Sequence, residues 1–140
     1  GNATSIPLMR VEEMLLIEAE ATAHYDAATG KSLLESFMAL RDPNYTCTAT
    51  DLIEEIIFQK RVELWGEGLI VFDLKRLDYG IDNAYEGTNA KNGFRFKTSH
   101  RVPLWNFCIP LTEVQQNVAL DGKNNPDPSA ALKSHDVAGE

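Results

Sequence analysis

Leu8-Met9-Arg10-Val11-Glu12-Glu13-Met14-Leu15-Leu16-Ile17-Glu18-Ala19-Glu20-Ala21 decides the fold class, and the residues after it extend the pattern. No Pro or Gly interrupts the chain from Leu8 to about Ala28. On a wheel of about 100° per residue, Leu8, Val11, Leu15, Ala19 and Thr22 share one side. Arg10, Glu13, Ile17 and Glu20 share another, with Leu16 beside them. A helix with apolar residues on two sides is sandwiched between neighbours. Ala19, Ala21 and Ala23 are small enough to let a partner helix approach closely. Ile6-Pro7 is extended and suits the entry to this helix; Gly30 is expected to stop it.

The segments downstream repeat this grammar. Ser32-Leu33-Leu34-Glu35 has capping-box spacing and predicts a short helix carrying Leu33, Leu34, Phe37, Met38 and Leu40. Asp42-Pro43-Asn44 ends it, because proline disfavours helix at the residue before it. Thr50 or Asp51 caps a further helix running to about Trp65. Its stripes are Ile53, Ile56, Ile57, Lys60 and Leu64 on one side, and Phe58, Val62 and Trp65 on the other. Gly66 and Gly68 close it. Leu69 to Leu77 predicts one more short helix, with Leu69, Phe72 and Arg76 on one face. From Asp78 to Arg101 the chain turns rich in Gly, Asn, Asp and Tyr, and reads as a long loop with short strands around Phe94-Arg95-Phe96. Val102 to Ile109 is a compact apolar run. Thr112-Glu113-Val114-Gln115 offers another capping box, and the tail from Asp121 is expected at the surface. The expectation is an all-α chain of tetratricopeptide-like helix pairs with an irregular, loop-rich C-terminal section. Its single domain spans residues 1–140: helical over 8–77, loop-rich over 78–120, tail over 121–140.

Composition narrows the function classes. A chain of 140 residues with 44% hydrophobic and 24% charged residues is ordinary globular material. Thirteen Lys and Arg against 21 Asp and Glu leave a net charge of −8. That balance argues against a nucleic-acid partner, which needs a cationic face. No apolar run reaches the length of a membrane helix. Two cysteines, Cys47 and Cys108, are too few for a disulfide scaffold or a zinc cluster, and one bridge or two separate thiols fit equally. Gly1-Asn2-Ala3-Thr4-Ser5 reads as a cut chain rather than a natural start.

Three stretches, in order, carry a resemblance. Residues 8–21 fit L-M-R-x-x-E-x-x-L-x-x-A-E-A. Glu63-Leu64-Trp65-Gly66-Glu67-Gly68 and then Phe72-Asp73-Leu74-Lys75-Arg76 fit E-L-x-x-E-G followed by F-D-L-x-R. Ile109-Pro110-Leu111-Thr112-Glu113 with Asn117 fits I-P-x-x-E-x-x-x-N. In this the chain resembles the C-terminal part of the SusD/RagB family, the outer-membrane glycan-binding lipoproteins of Bacteroidetes. It departs at Gln59-Lys60-Arg61, where the family has E-R-R, and at Ile70 and Val71, where the family often has Arg and Trp. The resemblance implies a longer, lipid-anchored parent at the outer-membrane surface, with the anchor outside this chain. That parent would capture oligosaccharides without breaking them and pass them to a SusC-type TonB-dependent transporter, this segment serving as helical scaffold. No cofactor is implied. If the rest of such a protein is absent, helices apolar on two sides imply dimerisation. A helical-repeat adaptor for a protein or peptide is the alternative, and a glycan-hydrolase fragment a third reading.

The charged residues divide these readings. Glu13 and Glu20 lie seven positions apart, about 10.5 Å of helical rise. That is wider than the roughly 5–9.5 Å between glycosidase carboxyl groups. Arg10, three residues before Glu13, favours an ion pair. Arg10, Glu13, Glu20, Arg61, Glu67 and Arg76 are therefore expected to form a structural ion-pair network, with Arg61 or Arg76 of a neighbouring helix meeting Glu20 or Glu67. His24, His100 and His135 have no metal-site spacing. The loop from Tyr79 to Phe96 holds sugar-recognition material in Tyr79, Asp82, Asn83, Tyr85, Asn89, Asn92 and Arg95, but is expected to be a polar loop packed by its own tyrosines. Phe58, Trp65 and Trp105 sit in apolar runs and are expected in the core.

Overall fold

The computed structural model describes residues 9–102 and 105–125. Ile6-Pro7, Leu8, His135 and the tail beyond residue 125 lie outside them. The described residues are all-α, with helices α1 (Val11–Ala23), α2 (Ala27–Met38), α3 (Leu52–Glu63), α4 (Ile70–Arg76) and α5 (Leu111–Gln116), then a 3₁₀ turn (Val118–Leu120). They fall into two compact units, Gly1–Ile70 and Val71–Glu140.

In the first unit α1 packs on α2 and on α3. The core holds Leu16 and Ala19 of α1, Leu34 and Phe37 of α2, Cys47 of the connecting segment and Ile56 of α3. Ala23, Leu33, Met38, Tyr45 and Leu52 pack around it. Only one face of α1 is buried, centred on Leu16, Ala19 and Glu20. Val11, Met14, Leu15 and Ile17 stay exposed, so the expected sandwich is not formed around α1 within the described residues.

The long first helix expected from the sequence is two helices. Asp26 splits it, because its Oδ1 accepts the Ala28 and Thr29 amides at 3.0 and 3.1 Å and caps α2. A side chain that satisfies two free amide donors outweighs continued propagation. Gly30 therefore does not stop a helix; it lies inside α2 and is buried. A Cβ there would fall 2.6 Å from the Cα of Ala23, so glycine permits the close crossing of α1 and α2. The expected cap at Ser32 is mid-helix: Ser36 Oγ donates to the Ser32 carbonyl at 2.7 Å, and Glu35 Oε1 accepts the Cys47 amide at 3.0 Å. Asp51 does cap α3, accepting the Glu54 amide at 3.1 Å. The chain leaves α3 through Gly66 and Gly68, both with φ near +80° (80° and 77°).

In the second unit α4 ends on Asp78, which has φ 56° where glycine is commoner. The Tyr79 amide reaches back to the Leu74 carbonyl at 2.9 Å, completing a Schellman closure. The following loop is clasped at its base. Thr98 N–H donates to the Ile81 carbonyl at 2.8 Å and Asn83 N–H to the Phe96 carbonyl at 3.0 Å, around a single antiparallel bridge between Asp82 and Lys97. The strands expected at Phe94–Phe96 amount to this bridge. Thr112 is not a cap; α5 starts at Leu111 after Pro110, and Asn117 caps the 3₁₀ turn through Ala119 N–H at 3.1 Å. Asn124 pairs with both backbone groups of Ile109, at 2.8 and 3.0 Å, and fastens residues 121–125 to the chain before α5. Val102 is buried, but Phe107 of the same apolar run is exposed.

Candidate functional site

Two features of the first unit bear on function. The first is a cluster of charges that joins the start of α1 to the end of α3. Arg10 stands just before α1 with extended backbone (φ −109°, ψ 143°), so its side chain is free to leave the helix axis. Nη2 donates to Glu63 Oε1 at 2.9 Å, Nη1 donates to the Glu67 carboxylate, and Nε donates to Glu12 Oε2 at 3.3 Å. Arg41 grips the same Glu63 with two bonds, Nε to Oε2 at 3.1 Å and Nη2 to Oε1 at 2.9 Å. The Arg41 guanidinium also lies over the Phe37 ring, 5.1 Å from its centroid.

Glu63 is the hub, and its side chain is only 14% exposed. The hydrogen bonds from Arg41, then the charges of Arg41 and Arg10, hold its carboxyl below the usual carboxylate range against the opposing effect of burial. A group held ionised in this way braces two helices; a general acid needs the opposite shift. Arg10 is held protonated above its ordinary value, chiefly by the bond to Glu67.

Of the residues expected in the network, Arg10 and Glu67 meet. Arg10 turns to Glu12 rather than Glu13, because it precedes the helix and the i, i+3 relation inside a helix does not hold there. Glu13 is half-buried on α1. Glu20 is buried, with His24 Nε2 4.0 Å from its Oε1. Arg76 bonds Asp73 Oδ1 within α4 at 2.8 Å. Arg61 pairs with neither Glu20 nor Glu67. Sequence reading missed Glu63 as the hub, although it opens the second quoted motif, and missed Glu12. Arg41 had no signal at all, since it follows a helix whose end falls four residues earlier than expected.

The second feature is the outer face of α3. Phe58, Arg61, Val62 and Trp65 line one open depression of about 320 Å³. Phe58 and Trp65 are not core residues, contrary to expectation: Trp65 is 85% exposed. Helical spacing places them together, but nothing described packs on that side of α3. Trp105 is half-buried.

The polar residues of the 79–96 loop are largely occupied by the loop itself. Asn83 donates to the Phe94 carbonyl at 3.1 Å and accepts from Phe96 N–H at 2.6 Å. Arg95 is buried and donates to the Ala90 carbonyl at 2.9 Å. Asp82 pairs with Lys97 at 3.0 Å. Tyr85 points outward, exposed. Cys47 and Cys108 are both free thiols. Among the described residues no group of three or more His, Cys, Asp or Glu is arranged to hold a metal, and no helix is long and apolar enough to cross a membrane.

No curated protein and no solved structure matches the chain significantly. The family model described as the SusD family matches residues 1–126, which include all three motif stretches and the Arg10–Glu63–Glu67 cluster that joins the first two. The chain therefore belongs to the SusD family.

Proposed function

We propose that the protein captures oligosaccharides at the outer-membrane surface and delivers them to a SusC-type TonB-dependent transporter, with the described helices as scaffold. The carrying observation is membership of the SusD family, a non-catalytic carbohydrate-binding family of nutrient uptake. The charge cluster is consistent with a scaffold. Its carboxylates are matched by Arg10 and Arg41, and Glu63 is held ionised, so the cluster fastens α1 to α3 instead of handling protons. Arg10, Glu13, Glu20, Arg61, Glu67 and Arg76 belong in this reading to bracing, not to chemistry.

Titration calorimetry of the full-length protein against neutral and acidic oligosaccharides tests the capture step. Saturable binding with no sugar release is the expected result. Release of sugar from a polysaccharide, lost in Glu13→Gln or Glu20→Gln, would replace this reading with a hydrolase. Delivery is tested by solubilising the membrane and isolating the tagged protein. Recovery of a large β-barrel transporter supports it, and recovery of a soluble partner alone supports the adaptor instead.

A further inference from the structure

The depression on α3 combines three things that do not ordinarily occur together without a ligand. Trp65 presents its indole almost fully to solvent, at 85% exposure, and Phe58 and Val62 are each more than half exposed. Arg61 stands among them. It makes no hydrogen bond or ion pair with any described residue, on a chain that carries 21 acidic residues against 13 Lys and Arg. An arginine of an acidic protein that avoids every carboxylate, in a setting of aromatic and aliphatic side chains, is poised for an anion from outside.

The chemistry narrows the anion. Flat aromatic rings accept the C–H face of a pyranose, and the planar guanidinium fork matches a carboxylate with two parallel bonds. No acidic side chain lines the depression to repel such a group. Its volume of about 320 Å³ lies at the low end of the roughly 300–1,000 Å³ of small-molecule sites. That is room for a sugar ring or two. Four side chains are also far short of the about 20–30 residues a side of a stable protein interface.

We propose that Phe58, Arg61, Val62 and Trp65 form a subsite for a uronic-acid residue of an acidic oligosaccharide, with the carboxylate on Arg61 and the ring on Trp65. This rests on the glycan-capture reading, and names a substrate class within it.

The test is titration of the full-length protein with tri-uronides from pectin, alginate and glucuronate-containing polysaccharides, each beside its methyl ester and beside neutral oligosaccharides. Arg61→Gln should weaken the best tri-uronide about ten-fold or more. Its methyl ester should bind the unaltered protein as weakly, and the two changes together should cost no more than either alone. Trp65→Ala should weaken acid and ester alike. All three side chains are exposed, so the variants should keep the helical circular-dichroism spectrum. An unchanged affinity in Arg61→Gln overturns the proposal. So does binding of neutral sugars but of no uronide, which leaves glycan capture standing. Binding of no sugar at all removes both. A Trp65→Ala change seen only as altered sedimentation would assign the face to a contact between copies, and also overturns it.

Discussion

Gly30→Ala sets two effects of opposite sign against each other. Gly30 lies in the interior of α2, where alanine is favoured over glycine by about 1 kcal/mol in helix propensity. If Gly30 were only a helical position, the substitution would stabilise. The new methyl, however, would sit 2.6 Å from both Cα and Cβ of Ala23 and 2.7 Å from its nitrogen. Carbon atoms in contact rest about 3.5–4.0 Å apart. Two of those three atoms are backbone, so α1 and α2 must separate by about 1 Å at the centre of their packing. Overpacking of this kind costs about 1–3 kcal/mol, and widening the crossing also loosens Ala19, Leu16 and Leu34, which are fully buried. The net expectation is a destabilisation of about 1–2 kcal/mol. For a chain of this length that lowers Tm by roughly 4–8 °C. Thermal and urea denaturation followed by far-ultraviolet circular dichroism measure it. Ala23→Gly in the same chain should restore only part of the loss, since the Ala23 backbone atoms remain. A Tm that rises in Gly30→Ala would refute the close crossing and leave propensity as the controlling effect.

Three further outcomes are expected. Glu63→Gln, which keeps the shape and removes the charge shared by Arg10 and Arg41, should cost about 1 kcal/mol at neutral pH. Because the Glu63 carboxyl is held below its ordinary 4.5, its contribution is complete above that pH and disappears as pH falls through the lowered value. Acid titration of stability should therefore show the variant converging on the unaltered protein, and a constant gap down to pH 2 would count against the hub. Tyr45 donates its hydroxyl to Glu55 Oε1 at 2.7 Å, and burial followed by that bond raises its phenol far above the ordinary 10.0. One of the four tyrosines should thus resist ionisation at 295 nm until the chain unfolds, its contribution being complete below about pH 10 and lost above; Tyr45→Phe should abolish the resistant fraction. Gly80→Ala would place a methyl 1.8 Å from the Thr98 carbonyl oxygen. Hydrogen exchange at Asn83 and Thr98 should quicken, and unaltered protection would show that the loop base is not closed this tightly.

What could be read in advance follows the range of the interactions concerned. The Asp51 cap and the Gly66 exit of α3 are local, involving residues three or four apart, and both were legible. Asp26 was equally local but was hidden inside a run of good helix formers, where periodicity alone continues through it. Gly30 looked like a terminator because a glycine at a helix end and a glycine at a helix crossing are the same letter. The motifs holding Arg10, Glu63 and Glu67 were visible, but their contact spans 53 and 57 residues, and Arg41 joined them with no motif of its own. Phe58 and Trp65 carry the same apolar stripe whether a neighbour covers them or not.

By itself the order of residues determined that this chain is helical and which family pattern it carries, because helix periodicity, capping and motif spacing are properties of neighbours along the chain. Only the tertiary structure decided which carboxylate the arginines share, why residue 30 must lack a side chain, and which aromatic rings are left facing water. Those depend on distances between helices, and a distance between helices is a sum over many weak contacts that no single stretch of sequence contains.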